Sequence, residues 1–591
     1  MAPDPTAARL TALFDTQVTL RPDEVALRHQ GRDVTFEELD RWSGQLAHQL
    51  DAAGIRAGDL VALAVDRSPA MVAAVLAVIR VGAGYLSLDQ DTPVRRQRTM
   101  TRLARPVCLL ARPHLDRLPT LDVPRVLVGE PPTGPVPRWT STSGGDDPAV
   151  FQVAPTSGTT GAPRLVRIGY RSVLNRLEWM WRDHPFPPDA TVAVQKSPSL
   201  VAAPWEMLGG LLQGVRSVVL AREEVLDPAL FAEAITAEGI THLYLTPHLI
   251  AGLLDQAERA GGLAHRMRLV TSGADTLSPE LVRRFHATLP GVRLLNLYGM
   301  TETASNTAAY DTALLPATAT RVPVGRPVAN ATITVRDRAL RPVPPGVTGE
   351  VCVSGPPLAL GYLDDDETTA ARFVRPPDGP VLFRTGDQGR WQPGGLLEIT
   401  GRTDNQVKIR GYRVELEEVE LALARIAPVT AAGACVVTQD GEPVLSAGLT
   451  AEDDLDVAAV RVQLRDQLPD YLVPARLVPV PALPRGRNGK LDRRALADLI
   501  VRATAATGPA RTYRPASRAE EIAVRCWHEV LGAPPEDAKQ NFFDAGGHSL
   551  LAVRLAARLQ AVSGTPVSLR ALLEDPTVAG VAGILTPGDE P

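Results

Sequence analysis

Three groups of residues in this chain could do chemistry. The first is the run Thr156-Ser157-Gly158-Thr159-Thr160-Gly161, followed by Ala162-Pro163-Arg164. Glycines let a backbone come close and take positive φ, and amide N–H groups with Ser and Thr hydroxyls offer donors to anionic oxygens. Such a run can wrap a polyphosphate; taken alone, its plainer reading is an ordinary turn. It is not the loop of nucleoside triphosphatases, since Gly-x-x-x-x-Gly-Lys-Ser/Thr is absent. The second group is the lysines. Of 62 basic residues only four are lysine: Lys196, Lys408, Lys490 and Lys539. Where nearly every surface cation is Arg, a Lys marks a need for a compact ammonium, although Lys539 reads as a chance survivor on the surface. The third is Ser549, just before the apolar-periodic Leu550, Leu551, Val553, Leu555 and Leu559. It stands at a helix N-terminus, as a capping hydroxyl or as a point of attachment.

These residues need elements to hold them. Ala149-Val150-Phe151-Gln152-Val153 reads as a buried strand leading into the Thr156 loop. Val34 to Leu39 reads as a short strand and then an amphipathic helix carrying Trp42, Leu46 and Leu50. Leu60 to Val65 is an apolar strand before a helix around Met71 to Val81, and strand–helix alternation continues. Gly82-Ala83-Gly84 is not a dinucleotide loop, because Ser87 stands where a third glycine is required. Residues 130 to 148 and 501 to 517 read as polar linkers, and Ile522, Val524, Trp527 and Val530-Leu531 as a helix. A length of 591 residues implies three or four domains, with the composition of a soluble globular protein. The net charge of −5 argues against a nucleic-acid partner. Cys108, Cys352, Cys435 and Cys526 make neither a disulfide framework nor a zinc pattern, and the ten histidines show no metal-ligand spacing. No signal peptide opens the chain, and the apolar run near Met71 to Ile79 is too short for a bilayer, so a cytoplasmic protein without membrane contact is expected.

In combination the strings resemble the adenylate-forming (ANL) superfamily. Thr156 to Arg164 is similar to TSGTTG-x-P-K, with Arg164 for the usual Lys, and Arg80 to Asp89 to K-x-G-x-A-Y-x-P-I-D. Asn296-Leu297-Tyr298-Gly299-Met300-Thr301-Glu302 resembles N-x-Y-G-P-T-E, which implies that Tyr298 stacks on adenine and Glu302 holds Mg²⁺, with Asn296 and Thr301 supporting nucleotide and acid. Gly349-Glu350 through Gly361-Tyr362-Leu363 is similar to scaffold of that family. Phe383-Arg384-Thr385-Gly386-Asp387 resembles Y-R-T-G-D, whose Asp accepts both ribose hydroxyls. Gly401 to Gly411 resembles G-R-x-D-x-Q-V-K-I-R-G, making Arg402 a nucleotide residue and Asp404 the pivot of a mobile lid. Leu468 to Pro474 and Asn488-Gly489-Lys490-Leu491-Asp492-Arg493 match L-P-x-Y-M-x-P and N-G-K-x-D-R, which puts Lys490 in the catalytic position. Asn541 to Leu550 resembles the carrier motif D-x-F-F-x-x-G-G-H-S-L, so Ser549 takes 4'-phosphopantetheine.

The resemblance is to a nonribosomal peptide synthetase adenylation domain fused to a peptidyl carrier. It implies an α/β multi-domain chain: a large N-terminal subdomain of mixed sheets (1–403), a small α+β lid (404–500), a linker (501–517) and a helical-bundle carrier (518–586). In amino-acid activators of that family an Asp four positions before the pocket Trp holds the substrate ammonium; here Val201 precedes Trp205. The other lining positions carry over to Ala202, Tyr244, Val270, Ser272, Leu297, Ser305 and Asn306, none charged, and the bulk of Trp205 and Tyr244 implies a shallow pocket. A buried ammonium without a counter-charge costs several kcal/mol. The expected substrate is therefore a small acid without a nearby amine, such as a 2-keto or 2-hydroxy acid, touched by Asn306 or Ser272. An inward Glu206 would restore an amino-acid reading. The implied reaction uses ATP and Mg²⁺ to form an acyl-adenylate, then loads the acid as a thioester on the carrier. Implied partners are a phosphopantetheinyl transferase, a downstream synthetase or tailoring enzyme and, in some members, an MbtH-like accessory protein. With no condensation domain before it and no thioesterase after it, the chain is expected to feed an assembly line. An acyl-CoA ligase and a carrier with a decayed adenylating domain are the rival readings, the latter opposed by Glu302, Asp387, Arg402 and Lys490.

Overall fold

Thr35 closes one element and opens the next. Its hydroxyl accepts the Glu38 N–H at 3.2 Å while the Glu38 carboxylate accepts the Thr35 N–H at 2.9 Å. This reciprocal cap launches the helix Phe36–Ala52, which buries Trp42, Leu46 and Leu50. The structure, a computed structural model, describes residues 6–115, 117–139, 150–158, 161, 163–377, 379–409, 411–439, 442–451, 455–486, 490–506, 513–532, 534–543, 545, 547, 549–565, 567, 571–572 and 575–585. The chain forms two compact units: Met1–Gly158, Ala162–Arg222 and Phe231–Arg413 make the first, and Thr159–Gly161, Glu223–Leu230 and Val414–Pro591 the second.

Among the described residues the first unit holds three large sheets. A nine-stranded sheet runs, edge to edge, Arg326–Pro327, Ala308–Asp311, Arg293–Tyr298, Leu269–Ser272, His242–Leu245, Thr191–Val194, Arg216–Val219, Val25–His29 and Arg32–Thr35. A six-stranded sheet has the order Arg125–Leu127, Cys108–Ala111, Leu60–Ala64, Gly84–Ser87, Val150–Thr156 and Arg164–Gly169. Its last two strands are antiparallel and close with Thr156 opposite Arg164, so the glycine-rich run joins neighbouring strands. The third sheet is built on the long strand Leu382–Gln392, flanked by Gly349–Ser354 and Leu396–Arg402. The helix Pro69–Arg80 is buried all round from Ala70 onward, as its unbroken apolar sequence requires. Its final residue, Arg80, is neutralised by Asp40 and by Asp15 at 3.3 Å.

The second unit pairs Val429–Gln439, Glu442–Ala451 and Arg476–Pro479 in one sheet. Arg493 bonds Glu417 at 2.9 Å and also Glu420, tying the helix Arg493–Ala506 to Leu416–Leu423. Leu496 and Ile500 anchor that helix in a core with Cys435 and Val437. It consequently runs on through residues 501–506, the start of the stretch expected to be linker, and residues 507–512 lie outside the described ones. The first unit ends after Arg413, whereas the sequence motifs place the end of the first domain before Asp404. The carrier region shows helices Arg518–Leu531, Ser549–Ser563 and Val578–Leu585, with Trp527 and Phe542 edge to face at 5.1 Å in their core.

Candidate active site

Asp387 is buried, and its backbone is fixed by Thr385, whose hydroxyl accepts the Asp387 N–H at 3.0 Å and donates to Val351 O at 2.7 Å. Tyr298 donates to Asp387 Oδ2 at 2.6 Å and Arg402 Nη1 to Oδ1. Arg402 also clamps Asp404 with two bonds of 2.7 and 2.9 Å. Gly386 makes this crossing possible: its φ is +75°, and a Cβ there would stand 2.8 Å from Asp404 Oδ2. Burial, then Asp387, raises the Tyr298 phenol well above its ordinary range, so it stays a donor. Burial lowers the Lys408 ammonium against the pull of Asp387 and Asp275. Asn296 donates to Pro323 O at 3.0 Å.

Glu302 is wholly buried. Arg413 Nη1 lies 2.7 and 2.9 Å from its two oxygens, and the Tyr362 hydroxyl donates to Oε1 at 2.7 Å. Burial would raise this carboxyl, but Arg413 and Tyr362 outweigh it and hold it below the usual range. Neither partner stands out in the sequence as a site residue. The turn that carries Thr301 and Glu302 leaves through Ala304 at φ +48° and Ser305 at φ +93°, and Gly299 must be glycine because a Cβ would meet Ser305 O at 1.7 Å. The Ser305 hydroxyl donates to Asn306 Oδ1 at 2.8 Å. Thr156 Oγ1 bonds Arg164 O at 3.4 Å and Ser157 Oγ bonds Arg413 O at 3.1 Å; Gly158 is described, and Thr159 and Thr160 lie outside the described residues.

The acid-pocket positions fall into two sets. Trp205, on the short helix Ala203–Leu208, stacks on Phe186 at 5.6 Å with planes 8° apart. Tyr244 pairs with Thr271, and Thr271 with Leu295, so Tyr244, Thr271 and Leu297 share one sheet face. By the same register Val270, Ser272 and Asn296 project from the other face. A cavity of about 10 Å³, room for about one water, lies among Trp205, Glu206, His242, Tyr244 and Thr271. The structure thus brings Trp205 and Tyr244 to one cavity, with Leu297 on the sheet face of Tyr244 and Val270 and Ser272 on the other; Val201 and Ala202 immediately precede the Trp205 helix, half-buried. Glu206 is not free to face a substrate. Its Oε2 accepts the Gln195 and Lys196 N–H groups at 2.9 Å each, and Oε1 lies 3.0 Å from Lys196 Nζ. Lys196 in turn donates to Tyr244 O at 2.6 Å and sits 4.2 Å from the Tyr244 ring centroid.

In the second unit Lys490 is exposed, while Asn488 and Gly489 lie outside the described residues. Ser549 begins the helix Ser549–Ser563, as its position before an apolar-periodic run requires.

Comparison with known proteins decides the family. The model described as AMP-binding enzyme matches residues 14–363, and that described as phosphopantetheine attachment site matches residues 522–585. The chain belongs to the AMP-binding enzyme family. Among curated relatives of this AMP-binding enzyme, the dimodular nonribosomal peptide synthase of Bacillus subtilis (strain 168) is 34% identical over 98% of this chain and 25% of its own length. Phosphinothricin tripeptide synthetase PhsB of Streptomyces viridochromogenes is 35% identical over 98% of this chain and 49% of its own. The chain therefore spans about a quarter to a half of these relatives. Among solved structures, holo-PA1221, an NRPS protein containing adenylation and PCP domains bound to a vinylsulfonamide inhibitor, superposes with a TM-score of 0.80 at 26% identity, over 97% of this chain and 96% of that one. The residues fit the groups the AMP-binding family implies. Asp387 has two carboxylate oxygens, a set that would suit a pair of ribose hydroxyls in place of its Tyr298 and Arg402 bonds, and Glu302 would offer Mg²⁺ hard oxygen donors once Arg413 yields them. Ser549 lies inside the phosphopantetheine-attachment match. Among the described residues no helix is long and apolar enough to cross a membrane.

Proposed function

We propose that this protein activates a small carboxylic acid lacking an α-amino group, such as a 2-keto or 2-hydroxy acid, as its acyl-adenylate with ATP and loads it on its own carrier region at Ser549. The observation that carries the substrate reading is the use of Glu206. Glu206, the carboxylate next to Trp205, is neutralised by Lys196 and two amides, and Val201 supplies none. A substrate ammonium would be buried there without a counter-charge, a cost of several kcal/mol.

In this reading Asp387 accepts the ribose hydroxyls, with Tyr298 and Arg402 fixing its oxygens. Asn296, Thr301 and the Thr156 to Gly161 run support the nucleotide. Glu302 would hold Mg²⁺, which would supply positive charge to the phosphates. Lys490 brings its ammonium to the substrate carboxylate and the α-phosphate, stabilising negative charge that grows as phosphorus becomes pentavalent. Asp404 is the pivot about which the lid turns between the two half-reactions. Ser549 would hold a phosphopantetheine arm, whose thiol would take the acyl group as a thioester with AMP as the leaving group. A phosphopantetheinyl transferase and a downstream synthetase or tailoring enzyme follow as partners.

The test is ATP–pyrophosphate exchange with matched α-amino, β-amino, 2-hydroxy, 2-keto and simple acids, with Lys490→Ala as blank. Exchange confined to amine-free acids supports the reading. Preference for a proteinogenic amino acid would overturn it.

A further inference from the structure

Among the described residues, Arg176 stands apart: all three of its guanidinium nitrogens are buried and none has a hydrogen-bond partner. The helix Tyr170–Asp183 turns it inward with Val173, Leu177 and Met180. Its guanidinium carbon lies 5.4 Å from the Trp179 ring centroid and 5.9 Å from that of Trp205. Indole faces attract a cation but offer no acceptor to its N–H edge.

Among the described residues, the acids on its own helix and on that of Trp205 are taken by other cations. On its own helix Glu178 pairs with Arg9, and Asp183 with Arg182 at 2.6 Å. Glu206, on the helix of Trp205, is taken by Lys196 at 3.0 Å. His184 is lowered by burial, and His242 is lowered to about 4, again chiefly by burial, so both are neutral near pH 7. The ionisable side chain that acts on Arg176 is Tyr244, whose hydroxyl would meet a Cβ on Gly273 at 2.5 Å. Arg176 therefore stands beside Trp205, which lines one cavity with Tyr244, both residues carried over as walls of the acid pocket, and it has a fork of donors and no acceptor.

We propose that Arg176 is a specificity-determining residue at the closed end of the acid pocket, where it binds an oxygen acceptor at the far end of the substrate, a second carboxylate fitting best. A planar guanidinium takes a carboxylate through two parallel hydrogen bonds, and a buried fork left empty is unfavourable for every acid that ends in a hydrocarbon. The inference deepens the adenylation reading above and rests on it.

The experiment measures kcat/KM for ATP–pyrophosphate exchange with acids of four to six carbons ending in methyl, carboxamide or carboxylate, in the full-length wild type and in Arg176→Met. Within one length the wild type is expected to rank carboxylate over carboxamide over methyl, separating carboxylate from carbonyl recognition. Arg176→Met should reduce the carboxylate-to-methyl ratio by about 10²-fold, because a buried polar group rejects an analogue that cannot pair with it. A wild-type preference for methyl ends, or a ratio unchanged in Arg176→Met, overturns the proposal; if that variant does not fold, the wild-type ranking decides alone. Exchange with methyl-ended acids only leaves the adenylation reading intact, whereas exchange with no acid removes both. Aspartate exchanging best, with loss in Arg176→Met, keeps Arg176 and overturns the amine-free reading.

Discussion

Arg413 and Arg176 are both largely enclosed in the same unit, yet they are treated in opposite ways. Arg413 faces a wholly buried carboxylate through two bonds of 2.7 and 2.9 Å. Arg176 is enclosed by indole rings and has no acceptor. A buried charge is tolerable when its partner is present and costly when it is not. The first arrangement closes on itself, so anything that binds Glu302 must displace Arg413. The second is incomplete, and completion has to come from a molecule that enters.

The largest effect should come from breaking the complete pair. Glu302→Ala leaves Arg413 without its partner and is expected to cost about 3–5 kcal/mol of unfolding free energy in denaturant titrations, most of it recovered when Arg413→Met is added. Because the Glu302 carboxyl is lowered in the folded state, its contribution is full above about pH 4.5 and is lost as pH falls through the folded value. The gap between wild type and Glu302→Ala should therefore narrow below pH 4.5.

An exposed cation offers the contrast. Lys490→Ala should leave the unfolding midpoint unchanged while pyrophosphate exchange falls about 10²–10³-fold, as for loss of one preorganised donor. A drop in stability of the same variant would make Lys490 a structural residue.

His242 sharpens the comparison from the Arg176 side. Its folded value of about 4 lies below the ordinary 6.5. The unfolded chain thus takes up the proton first, and stability declines as pH falls from 6.5 to 4, by up to about 3 kcal/mol. His242→Gln should flatten that slope in thermal melts across this window. The smallest effect is expected at the incomplete site: without substrate, Arg176→Met should hold the unfolding free energy or raise it by about 1 kcal/mol at most, since an unserved charge is removed from a packed core. A loss like that of Glu302→Ala would show that the two guanidiniums are equivalent after all.

Motifs in which backbone and side chain work within a few residues are legible before folding. The change from strand to helix between Val34 and Leu39 and the helix opening at Ser549 are of this kind. Arg413 and Glu302 are 111 residues apart, Glu302 in the turn Thr301–Thr303 and Arg413 on the strand Tyr412–Glu415, and meet only once the chain has folded, so no local pattern announces the pair. In sequence Arg176 is one more Arg in an amphipathic helix; its burial is set by Trp179 and Trp205, which the sequence does not place. Sheet register likewise separates Val270 and Ser272 from Tyr244 and Leu297, because a one-residue offset reverses the face. The continuation of the helix Arg493–Ala506 is hidden by its Ala and Thr, whose composition also suits a linker.

The turn from Gly299 to Asn306 bears on anyone who would re-cut the proposed acid pocket by mutagenesis. Ser305 sits at φ +93° against a glycine that admits no Cβ. A randomised library at positions 305 and 306 is consequently not a free choice of twenty residues at each: β-branched members at 305 will be lost to backbone strain before they are ever scored for selectivity. Diversity is better introduced at Val201, Ala202 and Leu297, with Gly and Asn the useful alternatives at 305.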